Sequence, residues 1–392
     1  MKRDGLLRRI DHLFRVNPVV ALLGPRQCGK TTLARFYVER FRPDFPQPLN
    51  YFDLEDPDGL SRLSAPKLAL QNLRGLVVID EIQRSPELFP LLRTLVDRPD
   101  VQCQFLILGS ASRDLIRQSS ETLAGRISSV EVAPFSAAEL QAAGQPNLLQ
   151  LWLRGGFPPA YLAEDAVLSS EWRTAYVSTY LERDLPALGI QIPAATMRRF
   201  WMMLVHYHGQ VFNASELGTT LGVADTTISR YLDILTGTFM VRRLQPWFEN
   251  VKKRQRRRPK IYFRDSGVLH TLLGITDDAQ LQLHPKLGAS WEGFALEEVI
   301  RLTQSAEEEV FYWGVHQQAE LDLLICKGGR KIGFEFKYAD APRLDRSMRR
   351  AFELLELDQL QIVFPGQVRF PLAENIDAVG LARLVEESAF SS

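Results

Sequence analysis

Eight consecutive residues constrain this chain more than any others. Gly24-Pro25-Arg26-Gln27-Cys28-Gly29-Lys30-Thr31 meets the spacing G-x-x-x-x-G-K-[ST] at every required position. The apolar run Val19–Leu23 precedes it, and the helix-like Thr32-Leu33-Ala34-Arg35-Phe36 follows. Strand, glycine-bearing loop and helix in that order form a phosphate cradle. The glycines let the backbone wrap closely, so consecutive N–H groups point at phosphate oxygens, and the helix adds the positive end of its dipole. Gly24 through Thr32 are therefore expected to hold a nucleotide, with Lys30 on the β- and γ-phosphates and Thr31 on Mg²⁺. A chance glycine-rich turn would not carry both flanks.

Such a cradle belongs at the edge of a parallel sheet. Residues 1–140 alternate apolar runs (Val19–Leu23, Leu49–Leu54, Leu76–Ile79, Phe105–Leu108 and Ile127–Val132) with helical or loop stretches. That alternation predicts an α/β domain with a mostly parallel sheet covered by helices. Leu76-Val77-Val78-Ile79-Asp80-Glu81 ends a buried strand in two carboxylates. Asp80 suits the Mg²⁺ shell, and Glu81 suits a base or positioner for the attacking water. A solvated acidic turn is the plain alternative. Ser110, at the end of the run Phe105–Leu108, either senses the γ-phosphate and orients water or merely exits the strand. ATP and Mg²⁺ are the expected cofactors.

The remaining chain divides by pattern into a helical connector at 141–207, a compact stretch at 208–260 and mixed strands and helices at 261–392. Within 208–260, Leu217 and Leu221 mark one helix, Gly222-Val223 a turn, and Asp225 a cap for Thr226–Leu235. Ile228, Leu232 and Leu235 fall on one face. Thr226, Thr227, Ser229 and Arg230 are left outward, as a DNA-reading helix needs. Phe239–Leu244 would be a wing strand. Lys252-Lys253-Arg254-Gln255-Arg256-Arg257-Arg258 then carries six positive charges, and Lys260 follows. Lys+Arg and Asp+Glu are both 47, so this run is a concentrated field in a chain of zero net charge. Such a field suits DNA phosphates. DNA is the expected partner through 208–260, with a protein-packing winged helix and a solvated linker as alternatives. His206 and His208 are two apart and share no helix face, so no metal site is expected there.

Farther on, Glu320-Leu321-Asp322-Leu323-Leu324-Ile325, a turn at Lys327-Gly328-Gly329-Arg330, and Ile332-Gly333-Phe334-Glu335-Phe336-Lys337 read as a hairpin. Period two sets Phe334 and Phe336 on one face and Glu335 and Lys337 on the other. Asp322 can join the polar pair across the hairpin. Two carboxylates beside a lysine can hold Mg²⁺ and activate water. A solvated hairpin face is the alternative.

The P-loop, Ile79-Asp80-Glu81, Leu108-Gly109-Ser110-Ala111-Ser112 and Leu123-Ala124-Gly125-Arg126 resemble the AAA-type ATPases. With Tyr180-Leu181-Glu182-Arg183-Asp184-Leu185 and Lys260-Ile261-Tyr262-Phe263-Arg264-Asp265, the chain resembles a prokaryotic family that fuses such an ATPase to a winged helix and a nuclease-like domain. The resemblance implies ATP hydrolysis. It makes Arg126 an arginine finger that completes a neighbouring subunit's site in a homo-oligomer, an intramolecular salt bridge being the other reading. Ser110 stands where many AAA ATPases carry Asn. The spacing of Asp322, Glu335 and Lys337 resembles the PD-(D/E)XK nuclease fold. Glu292, in Trp291-Glu292-Gly293-Phe294, matches the acid of that fold's first helix and joins Asp322 and Glu335 as an expected metal ligand. Leu321 stands before Asp322 in place of the motif's Pro. The expected function is an ATP-hydrolysing protein acting on DNA. The alternative is a nucleotide-dependent switch that recruits a protein partner and keeps an inactive nuclease-like domain.

Cys28, Cys103 and Cys326 are far apart and form no C-x-x-C pair, which argues against a disulfide framework or a cysteine zinc site. A reducing compartment fits. No apolar run approaches 18 residues and the N-terminus lacks a signal-peptide core, so a cytoplasmic chain with no membrane partner is expected.

Overall fold

A computed structural model describes residues 1–46, 50–98, 103–110, 123–248, 258–315 and 319–389. The chain forms two compact units. The first joins Met1–Pro134 with Asp184–Gln191 and Ile234–Phe239; the second joins Phe135–Arg183, Ile192–Asp233 and Met240–Ser392.

The first unit is an α/β layer structure. Its strands are β1 (Val19–Leu23), β2 (Tyr51–Asp53), β3 (Gly75–Asp80), β4 (Cys103–Gly109) and β5 (Ile127–Glu131), in the order β2-β3-β4-β1-β5. Every pairing is parallel. Apolar runs without alternation suit strands covered on both faces, and all of β1 is buried. The register Leu23↔Gly109 and Ile79↔Ile107 brings the carboxyl ends of β1, β4 and β3 to one edge. The P-loop, Ser110 and Asp80-Glu81 leave the sheet there, where an open α/β sheet offers its crevice.

The second unit carries a mixed nine-stranded sheet. Its strands are β6 (Gln210–Val211), β7 (Val241–Pro246), β8 (Lys260–Phe263), β9 (Val310–Val315), β10 (Ala319–Lys327), β11 (Arg330–Phe336), β12 (Gln359–Phe364), β13 (Arg369–Ala373) and β14 (Ile376–Gly380). The order is β13-β14-β12-β11-β10-β9-β7-β8-β6. β10 and β11 form the expected antiparallel hairpin. Gly328 and Gly329 both have positive φ at its turn, a conformation glycine adopts without strain. Strands from 208–260 and from 261–392 share this one sheet because β7 pairs in parallel with β9. The expected seam at 260/261 therefore falls inside β8, and the one at 207/208 falls inside the second unit. Edge strands gain by pairing, and a chain pattern does not reveal with whom. From 141 to 207 the described elements are helices, with one π-helical turn at Tyr180–Asp184. Among the described residues no helix is long and apolar enough to cross a membrane.

Candidate nucleotide site and carboxylate cluster

The P-loop curls through two left-handed residues, Gln27 (φ 62°) and Gly29 (φ 97°), the kind of backbone that turns N–H groups into one concavity. A Cβ on Gly24 would lie 2.0 Å from the Val132 carbonyl oxygen, so only glycine fits there. Lys30 is buried and donates to the carbonyls of Gly24 at 3.0 Å and Pro25 at 2.8 Å. Cys28 is buried, and burial raises its thiol pKa. Thr32 is exposed in the first turn of the helix Lys30–Phe41. Thr31 Oγ1 donates to Asp80 Oδ2 at 2.8 Å, and the Tyr51 hydroxyl donates to the same oxygen at 3.2 Å. Burial raises the Asp80 carboxyl while the Thr31 hydrogen bond opposes it. A hydroxyl and a carboxylate side by side are the donors a hydrated Mg²⁺ takes, so Thr31 and Asp80 fit that role.

Glu81 sits just past β3 with φ 56°. A non-glycine residue held there is strained, and such strain clusters at functional sites. Ser110 Oγ donates to Glu81 Oε2 at 2.9 Å, and Gln83 Nε2 donates both to that oxygen and to Ser110 Oγ. Ser110 thus orients Glu81. Gln83 escaped the sequence reading; its only signal is a place in the same turn as Glu81. Arg26 ion-pairs with Asp184 at 3.0 Å and with Glu55; no motif marks Glu55, and the phrase that holds Asp184 gave it no role at this site. Arg126 Nε meets Asp97 Oδ1 at 2.6 Å on the surface, the intramolecular ion pair named as its alternative.

Helix Ala214–Leu221, in the second unit, ends at left-handed Gly222, and helix Asp225–Gly237 follows, its residues from Ile234 on belonging to the first unit. Thr226, Ser229 and Arg230 are exposed and Thr227 is half-buried, while Ile228, Leu232 and Leu235 are buried. Lys252, Lys253, Arg254, Arg256 and Arg257 lie outside the described residues. His208 is buried, accepts from the Phe263 N–H at 3.0 Å and lies 3.1 Å from the Ala289 carbonyl oxygen. Burial pushes its pKa down to about 3, so it is a neutral structural residue.

The hairpin gathers the predicted acids, with a change of cast. The β9–β10 register shifts between Leu321 and Leu324, a bulge spanning Asp322. Bulges re-aim side chains in this way, and Asp322 is buried. Its Oδ2 accepts from the Phe336 N–H at 3.1 Å. Glu335 is buried; one oxygen takes the Lys337 amine at 2.8 Å and the other, Oε2, has no hydrogen-bond partner. Glu292 accepts from the Tyr262 hydroxyl at 2.6 Å. Burial, and then the charge of Asp322, raise the carboxyls of both Glu292 and Glu335 above the ordinary range. Lys260, read from sequence as the tail of the basic run, is instead buried here. Its amine lies 2.5 Å from Glu320 and 3.6 Å from Asp322. Burial opposes its charge, but Asp322, Glu292 and Glu320 raise its pKa on balance.

Among the described residues, no three His, Cys, Asp or Glu side chains group to hold a metal ion. Glu292, Asp322 and Glu335, the acids expected to share one ion, make other contacts in this structure. Glu292 is engaged by Tyr262, and an ammonium stands at Asp322 where a divalent cation would compensate the charge.

Residues 16–141 match the family described as "AAA domain", 145–279 one described as "Domain of unknown function (DUF8612)" and 287–384 "Domain of unknown function (DUF4143)". The uncharacterized protein Rv2008c of Mycobacterium tuberculosis is 51% identical over 378 residues, covering 96% of this chain and 83% of that protein. An uncharacterized protein of Haemophilus influenzae is 21% identical over 298 residues, 70% of this chain and 74% of its own length. Among solved structures, the Walker-type ATPase PABY2304 of Pyrococcus abyssi aligns with a TM-score of 0.47 at 15% identity, over 69% of this chain and 95% of that one. With a P-loop of this geometry and half its residues shared along nearly the whole chain, the protein belongs to the family of mycobacterial Rv2008c, which it enters with an AAA domain at residues 16–141.

Proposed function

We propose that the protein hydrolyses ATP at the carboxyl edge of its first sheet and acts on DNA through its second unit. The observation that carries hydrolysis is Glu81: strained, next to the Asp80–Thr31 pair, and oriented by Ser110 and Gln83. The P-loop N–H groups wrap the phosphates, and Lys30 moves from the Gly24 and Pro25 carbonyls to β- and γ-oxygens. Glu81 takes the proton of the attacking water. Thr31 and Asp80 are the residues that would hold Mg²⁺, which would neutralise charge on the β- and γ-phosphates.

The DNA reading draws on the helix pair closed at Gly222, the exposed Thr226, Ser229 and Arg230, and the antiparallel β7–β8 ribbon after them. That order of elements supports a winged helix with Asp225–Gly237 as its reading helix. ATPase assays with and without DNA, across salt, test it. Turnover should rise with DNA, and the rise should fade as salt increases. Turnover indifferent to DNA at low salt would favour the second reading.

That second reading rests on Lys260. With an ammonium built into the carboxylate cluster, the C-terminal region serves as a binding module, and the protein is a nucleotide-dependent switch for a protein partner. Under it, Mg²⁺ or Mn²⁺ elicits no DNA cleavage. Metal-dependent cleavage lost in Asp322→Ala would refute it.

A further inference from the structure

The P-loop cradle works through backbone N–H groups and needs no side chain at its third position. This loop nevertheless carries Arg26 there, less than half exposed and fixed at both ends of its guanidinium. One nitrogen donates to Asp184 Oδ1 at 3.0 Å and the other to Glu55. All three residues belong to the first unit, Glu55 just past β2 and Asp184 at the head of the returning segment Asp184–Gln191. Asp184 is 4% exposed, and a carboxylate buried that deeply is costly without a cation. Burial works against the charge on Arg26, but Asp184, Glu81 and Glu55 together outweigh it. Arg26 therefore lies within the field of Glu81, the residue assigned to the attacking water. Arg126, the arginine that the family resemblance marks, is bonded to Asp97 at the surface instead.

We propose that Arg26 contacts the terminal phosphate of ATP bound in its own subunit, and that Asp184 and Glu55 are the positioning carboxylates that hold and aim it. The proposal rests on the ATP reading above. A guanidinium matches phosphate oxygens two at a time, which an ammonium cannot do. A terminal phosphate carries more charge than either carboxylate and competes with both for the same donors. Arg26 then bridges the γ-oxygens and Asp184. It stabilises the charge that spreads over the transferring phosphoryl group, and returns to Glu55 and Asp184 when only ADP remains.

The test compares ADP and ATP affinity, the latter in a Glu81→Gln background, with turnover in the otherwise native chain. The variants are Arg26→Lys, Arg26→Ala and the double Arg26→Ala/Asp184→Asn, which leaves no buried carboxylate without its cation. In the double variant ADP affinity should stay within about two-fold of wild type, while ATP affinity falls about ten-fold or more and kcat about 10²–10³-fold. Arg26→Lys should regain part of the ATP affinity and little of kcat. A folded double variant with the wild-type ATP-to-ADP ratio and kcat overturns the proposal. So does loss of ADP affinity in all three variants, which would make Arg26 a fold residue. A wild-type chain that binds neither nucleotide sinks the ATP reading itself, a result distinct from either.

Discussion

A single backbone angle separates Glu81 from an ordinary acidic turn residue. At φ 56° its carboxylate is delivered to Ser110 and Gln83. Glu81→Gln should bind ATP and lower turnover about 10²–10⁴-fold, the range for a lost general base. Lys30→Ala should lose nucleotide binding, and undiminished turnover in both variants would remove the site from consideration. Gln83→Ala keeps the base and loosens its aim, so turnover should fall by less than in Glu81→Gln. Lys260 makes a residue-scale prediction of another kind. Lys260→Met leaves Asp322 buried without its cation and should destabilise the second unit by about 3–5 kcal/mol. Denaturant unfolding reads this, and a change under 1 kcal/mol, the scale of an exposed pair, would contradict the buried geometry.

The helix Leu287–Leu302 shows how one element serves two electrostatic settings. Glu292 faces Tyr262 and the hairpin acids, whereas Glu297 accepts from Arg242 at 3.0 Å and lies 3.5 Å from Arg264. Burial would raise Glu297, but Arg242 and then Arg264 outweigh it and hold its pKa at about 2, against an ordinary 4.5. The folded pKa is depressed, so this pair's stabilisation is complete above pH 4.5 and is lost as pH falls towards 2. The linkage amounts to about 3 kcal/mol. Wild type should therefore lose stability across that window more steeply than Glu297→Gln. Equal acid slopes would show that the pair does not hold the charge. The hairpin was legible as an element because its glycine turn and period-two pattern are local. The bulge at Asp322 was not, since it exists only relative to β9.

For the whole molecule, the distribution of tryptophan supplies a probe. All six tryptophans lie in the second unit, so their fluorescence follows its unfolding without a signal from the nucleotide unit. Assembly is tested through Arg126. With its guanidinium on Asp97 of the same chain, Arg126→Ala should leave turnover per subunit within about two-fold and independent of protein concentration, as for a partly exposed ion pair. Turnover that rises with concentration in wild type and collapses in Arg126→Ala would instead make it a finger acting on a neighbour.

The nucleotide edge could be read along the chain because its chemistry is local: Gly24 to Thr31 form one loop, and Asp80 and Glu81 end one apolar run. A parallel sheet then brings those ends together whatever the loops between them. The pairings Arg26–Asp184 and Lys260–Asp322 span 158 and 62 positions, and nothing in either neighbourhood marks its distant partner. They exist because buried charge must be compensated by whatever opposite charge the packing brings within reach. That reach was decided by the returning segment Asp184–Gln191 and by the sheet that sets β8 among the strands of the C-terminal half. For the same reason a lysine that reads in sequence as the end of a solvated basic run became the cation of a buried acidic cluster.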